Sequence, residues 1–258
     1  MLLAIDTGNT NITLGIFDGE TFKDEFRLPS DRDLSVNEYE ILISSLCKDY
    51  TIDGCIIGSV VEELNDKIIN AIMNKYHIEP IFVSNSINTG IKIKLDNPDE
   101  VGADRIANGV GASSLYKTPV IVVDFGTATS FDIVNSKNEF VGGIIAPGLN
   151  LQMKTLNRFT SKLPKTEVAI SSKAIGSNTT DAILSGVIRG TACMIDGLVE
   201  QCEKELGEEA TLVATGGYSG LIANYLKRPF DYINPTLTLE GLRYLYSINC
   251  TKEQFLNR

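Results

Sequence analysis

Histidine and clustered positive charge are the two features that this sequence has least of. His77 is the single histidine in 258 residues, which strongly disfavours histidine-based catalytic triads and multi-histidine zinc sites. It stands between Lys75-Tyr76 and Glu79-Pro80, a polar context that predicts a solvated position at the end of a helix. The fingerprint Gly-x-x-x-x-Gly-Lys-Ser/Thr is also absent, so the sequence does not predict a P-loop enzyme.

Positive charge is scarce and scattered along the chain. Lysine and arginine number 23 against 33 aspartates and glutamates, the formal net charge is −10, and no basic run exceeds two residues. Nucleic acids and anionic membranes attract clustered lysine and arginine, so we expect neither as a partner. The first apolar run ends at Asp6, so we expect no secretory signal, and we expect no segment that approaches the length of a membrane span.

The cysteines form neither a disulfide pattern nor a metal-binding pattern. Their number is five, which is odd, and no two of them stand as Cys-x-x-Cys. The positions are Cys47, Cys55, Cys193, Cys202 and Cys250. We therefore expect reduced, mostly buried thiols in a cytoplasmic protein. An apolar share of 43% with 22% charged residues is typical of soluble globular proteins.

Two turns of the same pattern are the most informative features that are present. Asp6–Thr10 reads Asp-Thr-Gly-Asn-Thr after the apolar run Leu2–Ile5, and Asp124–Thr129 reads Asp-Phe-Gly-Thr-Ala-Thr after Val120–Val123. Glycine lets the backbone approach a phosphate, and the hydroxyl and N–H groups of such a turn donate to phosphate oxygens. The leading carboxylate can hold a cation. One such turn fits an ordinary hairpin equally well, but two favour a duplicated kinase fold.

The order of predicted elements supports this duplication. The first half reads β-β-β-α-β-α-β, which is the ribonuclease H-like pattern, and the second half repeats its opening over residues 120–145. The change-over is predicted within Ser113–Pro119, where Pro119 interrupts helix before strand. We therefore expect an α/β, actin-like ATPase fold, with two related halves, 1–116 and 117–258, around a nucleotide cleft.

A long amphipathic helix is predicted over residues 178–206, with Asn178 at its start and Gly207 after its end. Its apolar face is predicted to contain Ile183, Val187, Met194, Leu198 and Cys202. Small residues lie among them, namely Ser185, Gly186, Gly190 and Ala192. They would allow the close approach of another backbone, either inside the protein or from a second copy.

The segment Asp96–Asn108 is the third informative stretch. Asn97 is predicted to cap a helix with Pro98 in its first turn, so that Asp104 and Arg105 point from the first turns of that helix. Taken alone, Asp104 and Arg105 form a solvated charge pair. The alternative is a base for an alcohol beside a forked cation for a carboxylate. The run Gly109–Ser114 ends in serine inside a helical stretch, so its glycines predict close packing rather than a dinucleotide site.

Five motifs in this order and spacing resemble those of the type III pantothenate kinases across essentially the whole chain. They are Asp6-x-Gly-Asn-Thr10, Gly102-Ala-Asp-Arg105, Asp124-x-Gly-Thr-Ala-Thr129, Gly142-Gly-x-Ile-x-Pro-Gly148 and Thr215-Gly-Gly217. The resemblance implies ATP-dependent phosphorylation of pantothenate, the first step toward coenzyme A. The segment Gly142–Gly148 fits a strand-to-helix turn as well as a nucleotide contact. Leu95 is a departure, because many relatives carry an aromatic residue there.

The resemblance also implies a role for individual residues. ATP would be bound by Asp6, Thr7, Gly8, Asn9, Thr10, Asn11, Ile12, Thr13, Thr127, Gly216 and Gly217. Pantothenate would be bound by Gly102, Ala103, Asp104, Arg105 and Thr179, with Asp104 as the catalytic base. The metal ligands would be Asp6, near Mg²⁺ and the phosphates, and Asp124, for a monovalent cation (K⁺ or NH₄⁺). A homodimer with substrate pockets near the interface is implied as well.

Two other classes of function remain open from the sequence. A non-catalytic regulatory or accessory relative of the same fold would be expected to lack Asp6, Asp104, Arg105 or Asp124, and all four are present. Another small-molecule kinase of the superfamily, acting on acetate or a sugar, would be longer and would lack Gly-x-Asp-Arg before the second phosphate turn. Pantothenate kinase is therefore the leading hypothesis, with ATP and pantothenate as ligands.

Overall fold

The computed structural model describes residues 1–84 and 86–250, which divide into two compact units. The first contains Met1–Ser114 together with the segment that begins at Leu237, and the second contains Leu115–Thr236. The junction after Ser114 lies within the predicted change-over. The predicted halves differ from these units in two respects. Their boundary lies two residues later, after residue 116, and they assign the segment after Thr236 by sequence order alone.

The first unit is built on a mixed sheet of five strands. These are β1 (Leu2–Thr7), β2 (Asn11–Asp18), β3 (Thr21–Pro29), β4 (Gly54–Ser59) and β5 (Ile81–Phe82). Their order across the sheet is β3-β2-β1-β4-β5, with β1 antiparallel to β2 and parallel to β4. The apolar run Leu2–Ile5 is buried along its whole length, as expected for a strand that is covered on both faces.

Helices α1 (Val36–Leu46) and α2 (Glu62–Tyr76) supply the core of this unit, in one buried cluster with apolar residues of β1, β2 and β4. Ser35 begins α1 with a capping box, in which its hydroxyl accepts the N–H of Glu38 and its own N–H donates to the Glu38 carboxylate. His77 ends α2 in the left-handed conformation and is exposed. The prediction of a solvated histidine at a helix end is confirmed.

The rest of the first unit leads into its last helices. A short strand β6 (Lys92–Ile93) and a single 3-10 turn (Pro98–Glu100) precede α3 (Ala103–Leu115). Asn97 does not cap α3, because the 3-10 turn ends at Val101 in an extended conformation and α3 begins separately. The Asn97 side chain donates instead to the Glu100 carboxylate at 2.9 Å. The capping prediction was wrong because a proline in a first turn also fits an isolated 3-10 turn.

The second unit repeats the strand order of the first. Its strands are β7 (Val120–Phe125), β8 (Ala128–Val134), β9 (Glu139–Pro147), β10 (Thr211–Gly216) and β11 (Tyr232–Ile233). Their order is β11-β10-β7-β8-β9, so in both units the first strand lies between the second and the fourth. Its helices include α4 (Leu149–Arg158) and α7 (Ser219–Ala223). This shared order is that of the predicted duplicated ribonuclease H-like fold.

The long helix of the second unit is present, but its register changes along its length. It runs as α5 (Thr179–Leu184), a π-helical segment (Ser185–Arg189) and α6 (Gly190–Leu206). A π-helical turn contains more residues than an α-helical turn, so the buried face beyond it moves along by about one residue. The buried residues there are Ala192, Ile195, Val199 and Cys202. Met194 and Leu198, which were predicted on the apolar face, are half-buried and pack against this core cluster.

The same helix bears on the membrane expectation. By length and composition Thr179–Leu206 could cross a membrane, with a mean hydropathy of 1.5 in its most apolar window. The expectation that no segment approaches that length is therefore wrong. The helix contributes to the core of the second unit, where its apolar residues cluster with Ile121, Leu149 and Leu212. Core helices of globular proteins pass the same test of length and composition, so the helix gives no support for a membrane role.

The last described helix, α8 (Leu237–Asn249), packs in the first unit. A Cβ atom on Gly111 of α3 would lie 2.9 Å from the carbonyl oxygen of Leu237, and one on Gly241 would overlap the carbonyl oxygen of Ala107. Glycine therefore permits the two helix backbones to touch, as the packing interpretation of Gly109–Ser114 predicts. α8 is thus part of the first unit, whereas the predicted half 117–258 includes it.

The cysteines agree with the sequence-based expectation. Three of them, Cys47, Cys55 and Cys202, are buried, Cys250 is half-buried and Cys193 is exposed. No disulfide joins any of the five, all of which lie within the described ranges. Burial raises the pKa of the Cys47 thiol to about 11. A buried thiol of this kind is an apolar core residue rather than a nucleophile.

Candidate active site

The first glycine turn leaves the carboxyl end of β1. In the parallel register of β1 with β4, Asp6 lies beside Gly58. Ligands of open α/β sheets bind at this carboxyl edge of parallel strands. The N–H of Gly8 closes the turn by donating to the carbonyl oxygen of Asn11 at 3.0 Å. The turn therefore lies where a phosphate group would be bound.

The predicted ATP residues of this turn fall into two groups by exposure. Six of these residues are exposed or half-buried, namely Asp6, Gly8, Asn9, Thr10, Asn11 and Thr13. Thr7 and Ile12 are buried, with Ile12 in the core cluster of the unit. These two residues can reach a nucleotide only through their backbone. The other six stay candidates for direct contact.

A turn after β3, which the sequence analysis did not single out, holds this loop in place. The N–H of Ser30 donates to the carbonyl oxygen of Thr10 at 3.1 Å, and its hydroxyl donates to the carbonyl oxygen of Gly8. Arg32 donates to the side-chain oxygen of Asn9 at 3.4 Å. A Ser-Asp-Arg-Asp run after a strand looks like any surface turn, so no local signal marks it.

Asp104 lies in the first turn of α3 and is half-buried. Its carboxylate accepts the backbone N–H of Arg105 at 2.8 Å. Burial raises the pKa of Asp104, while the N–H and the positive charge of Arg105 act in the opposite direction. A half-buried carboxylate with a raised pKa does not fit a solvated charge pair. A raised pKa makes a carboxylate a better general base near neutral pH.

Gly102 and Ala103 bring this carboxylate to the same sheet edge as the first turn. A Cβ atom on Gly58 would lie 3.6 Å from the Cβ atom of Ala103, and Gly58 pairs with Asp6 in the sheet. A Cβ atom on Gly102 would lie 2.5 Å from Oδ1 of Asp104, so glycine leaves room for the carboxylate. The predicted base and the predicted phosphate turn therefore share one edge of the first unit.

The second glycine turn leaves the carboxyl end of β7, where Thr215 of the parallel strand β10 lies beside Asp124. Gly216 has a φ of +84°, which favours glycine. A Cβ atom there would lie 2.8 Å from Oδ1 of Asp124 and 2.7 Å from the carbonyl oxygen of Phe125. The motif Thr215–Gly217 and the second turn are thus parts of one site within the second unit.

The segment Gly142–Gly148 lies at the end of β9 and hydrogen-bonds to the second glycine turn. β9 ends at Pro147, and the N–H of Gly148 donates to the carbonyl oxygen of Thr127 at 3.1 Å. A Cβ atom on Gly148 would overlap that oxygen. The contact favours the strand-to-helix alternative for this segment. Thr127 itself is exposed, so it lies at the surface of this turn.

Thr179 is the first residue of α5 and is exposed. Asn178 caps the helix by accepting the N–H of Asp181 at 2.9 Å, as predicted. Thr179 also lines a largely apolar cavity of about 560 Å³, together with Leu156 and Leu163. A volume of this order is typical of small-molecule sites.

The donor groups of the two turns fit cations bound together with phosphate. Within residues 1–84 and 86–250, no group of three or more His, Cys, Asp or Glu side chains is arranged to hold a metal ion. Mg²⁺ is usually bound by one or two carboxylates plus substrate phosphates and water, and Asp6 offers one such carboxylate. Beside Gly216, the Asp124 carboxylate and the Phe125 carbonyl are hard oxygen donors, which suit a monovalent cation.

Sequence comparison agrees with the motif order. The family model described as type III pantothenate kinase matches residues 2–201. A type III pantothenate kinase of Moorella thermoacetica is 41% identical over 254 residues, which cover 96% of this chain and 100% of that protein. One from Dehalococcoides mccartyi is 42% identical over 253 residues, which cover 96% of each chain.

Solved structures show the same fold at lower sequence identity. A protein of Campylobacter jejuni, named for the Baf family of transcriptional activators, aligns with a TM-score of 0.61 and 21% identity over 95% of this chain and 97% of its own. A ROK family glucokinase of Streptomyces griseus, solved with glucose and AMPPNP, aligns with a TM-score of 0.51 and 14% identity over 95% and 98%. Likeness at this level concerns fold and not function.

Proposed function

The chain belongs to the type III pantothenate kinase family, and from that premise we infer how its own residues transfer the γ-phosphate of ATP to pantothenate. Its substrates are ATP and pantothenate, and its product begins the route to coenzyme A. The observation that carries the residue assignment is the shared sheet edge of Asp6 and Asp104 in the first unit. That edge combines a phosphate-binding turn with a partly desolvated base.

The chemistry of the first unit follows from these two groups. Phosphoryl transfer depends on positioning and charge neutralisation more than on covalent catalysis. The exposed backbone at Asn9 and Thr10 would donate to phosphate oxygens, while the N–H of Gly8 holds the turn closed. Asp104 would accept the proton of the primary hydroxyl as it attacks the γ-phosphorus. Arg105 would bind the pantothenate carboxylate with its forked donors.

The second unit would supply nucleotide contacts and a cation site. We assign the hydroxyl of Thr127 to a phosphate and the open backbone of Gly216 and Gly217 to the base and ribose. Asp124 would hold K⁺ or NH₄⁺, and Asp6 would serve the Mg²⁺ that accompanies ATP. Neither glycine turn contains a lysine or arginine. Bound cations would therefore neutralise the phosphate charge.

The proposed compartment is the cytoplasm. Five cysteines without a disulfide suit a reducing environment. The relatives in Moorella and Dehalococcoides are bacterial kinases by name.

Purified protein is expected to form phosphopantothenate from ATP and pantothenate and to leave acetate and glucose unchanged. Acetate lacks the primary hydroxyl that Asp104 would deprotonate, and glucose lacks the carboxylate that Arg105 would bind. The measurement couples ADP release to NADH oxidation, with mass spectrometry of the product, in ample Mg²⁺ and K⁺. Absence of phosphopantothenate under these conditions would reject the enzymatic assignment.

We also propose that two copies associate through the second unit. Its surface carries large apolar side chains that are well exposed, among them Ile145, Phe159, Ile170 and Ile175. Apolar surface of this kind often marks an interface. On the long helix, a Cβ atom at Gly186 or Gly190 would meet nothing within 4 Å. Ser185 and Ala192, which the sequence placed on the same face, are buried inside the unit.

Light scattering at micromolar concentration is expected to give the mass of two chains. Ile175→Glu with Phe159→Glu should shift the mass toward one chain, because a charge cannot be buried unpaired at low cost. Ile41→Glu is the matched control, since Ile41 is 65% exposed but lies in the first unit. A fully active protein with the mass of one chain would contradict the homodimer.

A further inference from the structure

The segment that leads to Thr179 contains one buried residue, Ser171. Residues 159–178 join α4 to α5 without helix or strand, and loops of this length in a compact unit are usually functional. Along them the side chains are exposed or half-buried, except that of Ser171, which is 4% exposed. We call residues 159–178 the strap.

Ser171 is bonded through its N–H, its carbonyl and its hydroxyl. The N–H of Ser171 donates to the hydroxyl oxygen of Tyr225 at 2.8 Å. The Tyr225 hydroxyl in turn donates to the carbonyl oxygen of Ser171 at 3.2 Å. Arg189 donates from Nη2 to the same carbonyl oxygen at 2.9 Å and from Nε to Oγ at 3.2 Å. Its guanidinium lies 5.0 Å from the centroid of the Tyr225 ring, within cation–π range. We call Ser171, Arg189 and Tyr225 the clamp.

The π-helical segment provides the helix side of this attachment. Arg189 is its last residue, and Ser185, its first, donates from its hydroxyl to the carbonyl oxygen of Ala174 in the strap at 2.6 Å. π-helical turns inside α-helices frequently occur at functional sites. Here the side chains of Ser185 and Arg189 both hydrogen-bond to the strap, so the π-helical turn attaches the strap to the helix.

The strap and the helix together form the wall of the Thr179 cavity. Leu163 of the strap, Thr179 of α5 and Val187 of the π-helical segment all line it. A Cβ atom on Gly176 of the strap would overlap the backbone nitrogen of Ala182, so strap and α5 lie in direct contact. A displacement of the strap therefore changes the cavity wall beside Thr179.

We propose that Ser171, Arg189 and Tyr225 are positioning residues that set the affinity for pantothenate by fixing the strap against the Thr179 cavity. The proposal rests on the proposed function and on the pantothenate contact that the family resemblance implies for Thr179. A purely structural anchor would affect stability alone. A positioning role affects the pantothenate KM while the KM for ATP stays the same.

Tyr225→Phe tests the proposal, because it keeps the ring under Arg189 and removes the hydroxyl that bonds Ser171. The KM for pantothenate is expected to rise about tenfold, the loss that follows from two hydrogen bonds, while the KM for ATP stays within about twofold. Trypsin cleavage in the strap, at Lys162, Lys165 and Lys173, is expected to accelerate. Pantothenate should slow that cleavage in the wild type at lower concentrations than in the variant.

Two further variants complete the experiment. Tyr232→Phe is the matched control, since Tyr232 lies in β11 of the same unit with its ring 4.4 Å from that of Tyr116, and both KM values should stay unchanged. Arg189→Lys keeps the positive charge but removes the paired guanidinium donors that bond Ser171. The KM of this variant for pantothenate should lie between those of the wild type and Tyr225→Phe.

The outcomes separate the clamp from the catalytic assignment. An inactive wild type rejects the proposed function itself. An active wild type with unchanged pantothenate KM in both clamp variants, whatever their melting temperature or cleavage rate, rejects only the positioning role. A parallel rise of the KM values for ATP and pantothenate also rejects it, because that pattern reports general loosening of the fold.

Discussion

Asp104→Asn is expected to lower kcat by about 10²–10⁴-fold, the range for loss of a general base. Asparagine keeps the size and the hydrogen-bond acceptor that meets the N–H of Arg105 at 2.8 Å, but it does not accept the hydroxyl proton at neutral pH. The KM for ATP should change little, because the glycine turns are untouched. Steady-state kinetics with each substrate varied in turn measures both effects.

The same variant is expected to be more stable than the wild type at pH 7. Burial raises the pKa of Asp104, so folding disfavours its charged form. The stability that the protonated carboxyl contributes is present below its unfolded pKa of about 3.9 and is lost as pH rises through the higher folded value. Asp104→Asn should therefore raise Tm at pH 7, and the gain should disappear below about pH 4.

Arg105→Lys is the contrasting variant for the first prediction. A point charge replaces a fork on the pantothenate carboxylate, so the KM for pantothenate should rise while kcat falls much less than in Asp104→Asn. A fully active Asp104→Asn enzyme would end the base assignment even with pantothenate kinase activity established. Two near-silent variants would return the pair to a solvated surface role.

Gly216→Ala is expected to remove most of the activity and the response to potassium. The new Cβ atom would lie within 2.8 Å of Oδ1 of Asp124 and of the carbonyl oxygen of Phe125, at a φ of +84°. Strain and overlap of this kind destabilise by roughly 1–3 kcal/mol. They also displace the two oxygens assigned to the cation. Rates in KCl and in tetramethylammonium chloride, together with Tm, measure both consequences.

The wild type should be much faster in KCl, whereas Gly216→Ala should be slow in both salts. Gly220→Ala is the matched control, because a Cβ atom there meets nothing within 4 Å and alanine suits the short helix α7. Equal wild-type rates in the two salts would remove Asp124 from the cation role. A Gly216→Ala variant with wild-type activation by potassium would show that these oxygens do not hold the ion.

The sheets were predictable from sequence because their signals are local. An apolar run followed by Asp-x-Gly defines β1 and β7 within a few residues, and both strands continue two residues past the apolar run, to Thr7 and Phe125. The helix cap at Asn178 and the packing glycine Gly111 are local signals as well. A cap needs a side-chain acceptor for a backbone N–H, and a close backbone approach needs a residue without a Cβ atom. The candidate site residues that lie on these elements could therefore be named from motifs alone.

The missed features depend on contacts between distant segments. Beyond the π-helical segment Ile195 and Val199 are buried, while Met194 and Leu198 are only half-buried. Periodicity at 3.6 residues does not detect a π-helical turn. Arg32 and Tyr225 matter through partners 23 and 54 residues away. No spacing rule connects such pairs before the chain folds.

Helix α8 also sets the order in which the two units can be completed. A ribosome releases the chain from its first residue onward, so the whole of Leu115–Thr236 is made before α8. Until then the surface that α8 covers on β1, β2 and β4 has no partner from the chain. The second unit, continuous in sequence, is therefore complete first, although its synthesis starts later. The residues that wait longest for this cover are those of β1, which is made first and is in contact with α8 in the folded protein.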